Sequence, residues 1–292
     1  MGAHVGPTFL RIMLGAELTR LRDLAGLTGD QAAKKIGLRS ASMISKVESG
    51  HSGFERIDQL MKLLDEYEVP LEGQEMLADW YRNAKGGDWW SPKSSTMPSG
   101  MNLFLAFESG ASSVKVCTPQ VVNGLLQSEN YARALMESAR VADDRTTEFV
   151  ENAVEVRMTR KKRITEEGME LVCIMDESAL RNRVGSPEIM LEQYEEIEHL
   201  ASHRNVTVRI IPFSAPTYRV FGEFHVLDFD RKELPDPVVV APSTVDQGMK
   251  CTSKPKPVKQ FVRRFDVLAQ GALPAHETPG FLERLKREVR QA

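Results

Sequence analysis

The chain has 292 residues, enough for two hydrophobic cores, and its 41% hydrophobic and 27% charged residues are ordinary for a globular protein. A net charge of −3 excludes a protein that coats nucleic acid along its whole length, while leaving room for one basic face on a modular chain. No apolar run nears the roughly 20 residues that cross a bilayer, and residues 1–7 lack a basic stretch followed by an apolar block, so a cytoplasmic protein is expected.

Taken in chain order, Leu14, Leu18, Leu21 and Leu24 recur at helical spacing, with Glu17, Arg20 and Arg22 on the other side. Gly26 closes this first helix. Thr28 opens a second one, where Gln31 completes a capping-box pattern and Ala32, Ala33 and Ile36 form the buried stripe. Gly37 ends it. Ser40 caps a third helix running from Ala41 to Ser49 and stopping at Gly50. There Ile44 and Val47 face the core, and Ala41, Ser42, Ser45 and Lys46 point outward. Phe54, Ile57, Leu60, Met61 and Leu64 predict a fourth helix that locks the other three. A short helix, a tight glycine turn and a helix starting with small polar residues suit insertion into the major groove of DNA. Between Arg11 and Arg56 eight cations face five anions, a modest excess of +3.

Residues 72–83 read as a further helix, followed by a Gly-, Ser- and Pro-rich connection between Lys85 and Gly100. The adjacent Trp89 and Trp90 are costly to leave in water, so part of this connection is expected to dock. Beyond it the hydrophobic period alternates between helix and strand. Helices are expected over residues 103–109, 120–138, 144–166, 187–203 and 258–268, and in a charged tail from Phe281. Strands are expected over 113–117, 171–175, 206–211, 223–229 and 238–240. The pattern predicts a mainly α N-terminal helix-turn-helix domain (1–84), a linker (85–101) and a larger α+β domain (102–292) with a mixed sheet covered by helices.

The run Thr28 to Gly50, TGDQAAKKIGLRSASMISKVESG, resembles the signature of the Xre, or phage-repressor, family, with agreement at Thr28, Ala33, Gly37, Ser40, Ile44, Ser45, Glu48 and Gly50. That resemblance implies a lambda-repressor-like domain in which Ala41, Ser42 and Lys46 face base edges while Arg39 and Ser40 lie near phosphate. Thr28, Gln31 and Ser45 complete the expected DNA-facing set. Lysine can donate to guanine O6 and N7, and serine can read several bases. Glu48 is expected to hold its helix against Arg20 or Arg22 rather than to meet DNA. Gly29 stands where the family usually has a phosphate-touching glutamine, and Ala32 where it usually has leucine.

The stretches Pro119–Leu135, Met175–Arg181 and Asn205–Ser214 extend the likeness over nearly the whole chain, which resembles the WhiJ-like Xre regulators of filamentous actinobacteria. The resemblance implies a C-terminal domain of uncharacterised biochemistry, a role in development and antibiotic production, and a gene neighbour encoding a small partner protein. One region departs from the family: 241–257, where three prolines and little hydrophobicity predict a mobile loop.

Catalytic and metal motifs are weak. Cys117, Cys173 and Cys251 are odd in number and widely spaced, which argues against a disulfide framework or a zinc site. His199 and His203 sit four apart on an expected helix, the spacing of two ligands, but with no third; a polar helix face is expected. His4, His51, His225 and His276 are isolated. Glu108, Asp176 and Glu177 fall near strand ends, yet adjacent carboxylates on a strand point to opposite faces. No nucleophile elbow, Walker loop or dinucleotide fingerprint occurs. The run Arg157, Arg160, Lys161, Lys162, Arg163 is expected to be the solvated side of a helix whose other side carries Val150, Val154, Met158 and Ile164. A non-enzymatic regulator without metal or cofactor is therefore expected. It would bind a double-stranded operator as a homodimer, and its C-terminal domain would dimerise and respond to a small-molecule effector or a small protein. The alternative is an antitoxin-like protein that sequesters a partner and regulates its own gene.

Overall fold

A computed structural model describes residues 5–38, 40–217, 221–230, 237–243 and 248–291. The chain divides into two compact units at Ser91/Pro92.

The first unit is helical. Helix α1 spans Pro7–Leu24, α2 Gly29–Lys35, α3 Ala41–Glu48, α4 Ile57–Glu66 and α5 Leu71–Asn83. Helix α1 begins a full two turns before the leucine pattern, because Pro7 sits at its first turn with φ already helical and Phe9, Leu10 and Met13 are buried. Glu17 is buried too, contrary to its expected outward position; Arg20 folds over it with bonds of 2.5 and 2.8 Å. Phe54 is buried ahead of α4 rather than within it, and its carbonyl accepts from the Tyr81 hydroxyl at 3.0 Å. The tail of the unit is tied down: the Asp88 carboxylate accepts from the backbone N–H and the hydroxyl of Thr8, and Trp90 is buried edge-on to Trp89.

The second unit carries, in order, α6 Met101–Gly110, β1 Ser113–Thr118, α7 Glu129–Ala142, α8 Thr147–Thr165, β2 Glu170–Asp176, α9 Glu177–Arg181, α10 Pro187–Ala201 and β3 Val206–Ile211. Then follow β4 Phe224–Asp228, β5 Val238–Pro242, β6 Met249–Thr252, α11 Pro255–Gly271 and α12 Thr278–Gln291. The six strands form one mixed sheet in the order β3-β2-β1-β4-β5-β6, parallel from β3 to β1 and antiparallel from β1 to β6. Strand alternation splits the core. Val114, Val116, Leu171, Cys173, Val208 and Leu227 face a layer of α6, α7, α8, α10 and α12 residues. Cys117, Ile174, Ile211, Phe224, Val226 and Val239 face α11 through Val258, Phe265 and Leu268. With both faces covered, strands read as nearly continuous apolar runs, which is why β2 and β3 were visible in the sequence.

Three expectations change here. The 241–257 segment is not a loop throughout: β5 reaches Pro242, β6 pairs with it from Met249 to Thr252, and α11 starts at Pro255, leaving 244–247 outside the described residues. An edge strand tolerates few apolar side chains, so its signal was faint. The helix expected from Gln120 begins only at Glu129, capped by the Ser128 side chain; before it, Gln127 and Asn123 bind backbone groups of an irregular segment. The basic run on α8 is not a solvated face. Arg160 and Arg163 are buried, Lys161 pairs with Glu196, and Lys162 alone of the five is exposed.

Candidate nucleic-acid interface

The candidate DNA-facing surface is built by α2 and α3. Thr28 and Gln31 cap α2 reciprocally: the Thr28 hydroxyl accepts from the Gln31 N–H at 3.3 Å, and the Gln31 side chain accepts from the Thr28 N–H at 2.8 Å. Both side chains are exposed. Ser40 occupies the N-cap position of α3, but its side chain makes no cap bond, contrary to the sequence reading, and it is exposed. Its hydroxyl thus stays available to an outside acceptor such as phosphate.

On α3, Ile44 and Val47 are buried, Ser42, Ser45 and Lys46 are exposed, and Ala41 is half-buried. The structure therefore brings Ser40, Ala41, Ser42, Ser45 and Lys46 onto one projecting element. Arg39 lies outside the described residues. Met43, not singled out from the sequence, is 39% exposed on the same element. Its i, i+4 relation to Val47 places it by periodicity on the core flank, which conceals its outward position. A thymine methyl is the base feature an apolar side chain can meet there. Among the described residues, neither Lys34 nor Lys46 has a carboxylate partner, whereas Lys35 is paired with Glu66 and Arg56 with Asp58. Unpaired, exposed ammonium groups are the ones free to displace counterions from a duplex.

What holds α3 in place is mostly invisible to periodicity. Arg22 grips Glu48 through two bonds of 2.6 and 3.2 Å, and also donates to the Leu27 carbonyl at 2.9 Å. The Glu48 contact keeps the Arg22 guanidinium above the ordinary arginine range, despite the opposing effect of partial burial. Arg20, the other expected partner, is engaged with Glu17 instead. Beside the pair, burial foremost and then the Glu48 charge push the Tyr67 phenol well above its usual range. Gly15 lets α1 cross α3 closely: a Cβ there would lie 2.5 Å from the carbonyl oxygens of Val47 and Glu48. Gly50 leaves α3 at φ 72°, and a Cβ on it would meet the Ile12 backbone at 2.9 Å.

The carboxylates near strand ends have structural partners. Asp176 caps α9 by accepting from the Ser178 N–H at 3.0 Å. Glu177 accepts from the Phe213 N–H at 2.6 Å and from Arg181 at 2.5 Å. Glu108 forms a two-pronged pair with Arg160. The His199 and His203 rings pack edge to face, 5.4 Å apart. Among the described residues no three His, Cys, Asp or Glu side chains gather as a metal-ligand set, and no helix is long and apolar enough to cross a membrane.

A helix-turn-helix domain family matches residues 13–75, which run from within α1 into α5 and contain all of α2, α3 and α4. A second family, described as a domain of unknown function, DUF5753, matches residues 101–284, well over half of the chain. The chain belongs to the DUF5753 family. No curated protein matches it. The helix-turn-helix domain makes this DUF5753 protein a sequence-specific DNA-binding regulator, and the DUF5753 domain itself is the mixed sheet with its helices on both faces.

Proposed function

We propose that the protein is an Xre-type, WhiJ-like transcriptional regulator that binds a short two-fold-symmetric operator as a homodimer in the cytoplasm, with its DUF5753 domain supplying dimerisation and effector sensing. The observation that carries this reading is the exposed set Ser40, Ser42, Ser45 and Lys46 on a helix anchored from behind by Ile44, Val47 and the Arg22–Glu48 pair. A face of small polar groups that carries Lys46 without a carboxylate partner among the described residues fits base edges and phosphates better than it fits a protein core. One such domain offers few contacts, and two half-sites about one helical turn apart supply the missing specificity. Development and antibiotic production are the processes such a regulator would control, on the strength of the family resemblance.

The DUF5753 domain is read as binding rather than catalytic. The carboxylates at its strand ends are committed to helix caps and arginines, and coupling a ligand to operator affinity needs only differential binding to two states.

Genome-wide mapping of bound DNA in the native host, followed by gel-shift titration of the recovered sequence, tests the reading. A symmetric site bound on the order of 10³-fold or more tighter than random duplex supports it. Equal affinity for every duplex sinks it, and sedimentation of the complex decides the dimer.

A further inference from the structure

Inside the DUF5753 domain lies a cavity of ≈ 220 Å³ bounded by α6, the segment before α7, α7, α8, β4 and the β5–β6 end of the sheet. Most of its wall is apolar: Met97, Met101, Phe104, Leu135, Met136 and Phe149. Into this wall project three polar side chains that are not satisfied among the described residues. Gln127, 2% exposed, donates to the Val122 carbonyl but leaves Oε1 without a partner. His225, also 2% exposed, meets Glu223 through Nε2 at 3.0 Å and leaves Nδ1 without one. Arg157 leaves Nε without one, and the guanidinium's single hydrogen bond among the described residues runs from Nη1 to the Ala153 carbonyl of its own helix, at 3.0 Å.

The charges around the cavity are unevenly matched. Arg160 is satisfied from outside the cavity by both oxygens of Glu108 at 2.7 Å, and it stacks on Phe104. Glu223 is held as a carboxylate: burial pushes its pKa up, but the His225 bond and the charges of His225, Arg160 and Arg157 prevail and keep it below the usual range. Arg157 has no carboxylate within ion-pair distance among the described residues. Burial, reinforced by the Arg160 charge and only partly offset by Glu223, lowers it to about 10. Arg157 is half-buried, but its Nε is shut off from solvent, and a cation so placed without a direct counter-ion is costly, as is water against an apolar wall. One ligand would relieve both.

We propose that this cavity binds a small amphipathic anion, a carboxylate carried on an apolar body, with Arg157 clasping the carboxylate and the methionine and phenylalanine side chains enclosing the rest. The cavity is the size of a small-metabolite site, at or just below the lower end of ligand pockets, roughly 300–1,000 Å³. Nε2 of His225 faces the Glu223 carboxylate, so a proton on Nδ1 can be donated to the ligand's carboxylate, while Gln127 Oε1 can accept from a donor on a ligand body that carries one. The assignment rests on the regulator reading only for its consequence: occupancy would shift operator affinity.

The test is calorimetric titration of the full-length protein with hexanoate, octanoate and phenylacetate, each against its uncharged primary amide. At least one carboxylate should bind about tenfold or more tighter than its amide, the worth of a charge-assisted bond in a closed site. Arg157→Gln should erase that preference, and Arg157→Lys should retain part of it. A series in which no carboxylate exceeds its amide overturns the proposal, and this wild-type comparison stands whether or not the glutamine variant folds. A preference that survives in a folded Arg157→Gln protein overturns it equally. Gel shifts with the bound carboxylate separate the two ideas: binding without any change in operator affinity removes effector sensing and leaves the cavity's chemistry intact.

Discussion

Replacing Glu108 with glutamine isolates the charge beneath the DUF5753 cavity. Glu108 and Arg160 side chains are 2% and 7% exposed and meet through two bonds of 2.7 Å, Nε to Oε1 and Nη2 to Oε2. A glutamine keeps one acceptor but turns an N–H toward the other guanidinium N–H. It also strips the counter-charge from a cation that already repels Arg157. Removing one member of a buried pair costs about 3–5 kcal/mol. In a unit of about 200 residues each kcal/mol is worth roughly 2–4 °C, so the melting temperature should fall by about 6–20 °C. Scanning calorimetry of the full-length protein can follow this unit separately, because a chain of two units need not melt in one transition. The double variant Glu108→Leu with Arg160→Met should recover most of the loss, since two apolar groups of similar volume leave nothing charged behind. A single-variant shift under about 3 °C, or a double variant no better than the single, would refute the reasoning that Arg160 is an uncompensated cation without Glu108.

Three further outcomes follow from the geometry. Lys46→Ala should weaken operator binding about 5- to 150-fold and relax one base position, while leaving the melting temperature unchanged, because Lys46 is exposed and unpaired among the described residues; wild-type affinity and preference in a gel shift would remove it from the interface. Gly15→Ala should lower the stability of the helical unit by about 1–3 kcal/mol, although alanine ordinarily strengthens a helix, since its Cβ would sit 2.5 Å from two α3 carbonyls; a raised melting temperature would show that α1 and α3 can part freely. The cysteines should resist iodoacetamide at about pH 8 in the native state. Burial pushes Cys117 and Cys173 well above the usual thiol range and Cys251 to about 12, leaving about one thiolate in ten thousand at Cys251; rapid native labelling, read by mass spectrometry, would contradict that burial.

Helix α3 was readable because local rules act within a few residues. The Thr28/Gln31 capping box, the glycine stops and the Ile44/Val47 stripe each need only neighbours along the chain, and the structure reproduces them. An arginine partner for Glu48 was foreseen, but the choice of Arg22 over Arg20 was made by the packing, which turns Arg20 onto Glu17. The inward turn of Glu17 and the outward position of Met43 were not, because each depends on which neighbour a whole helix meets. Strands β1 to β5 announced themselves, β1 by alternation and β2 as an apolar run, whereas β6 at the sheet edge did not.

The sequence by itself determined the helix-turn-helix, most of its outward residues and most of the helices and strands beyond it, α9 and β6 excepted, because periodicity and capping are local. Only the tertiary structure decided the fate of the arginines on α8. Charge along a helix reads as solvated until the sheet and α6 are packed against it. That packing buries Arg160 on Glu108, 52 residues away in sequence, and leaves Arg157 facing a cavity whose walls come from segments spread between Thr96 and Met249. Burial of charge is a property of the assembled surroundings, and no short window of residues contains it.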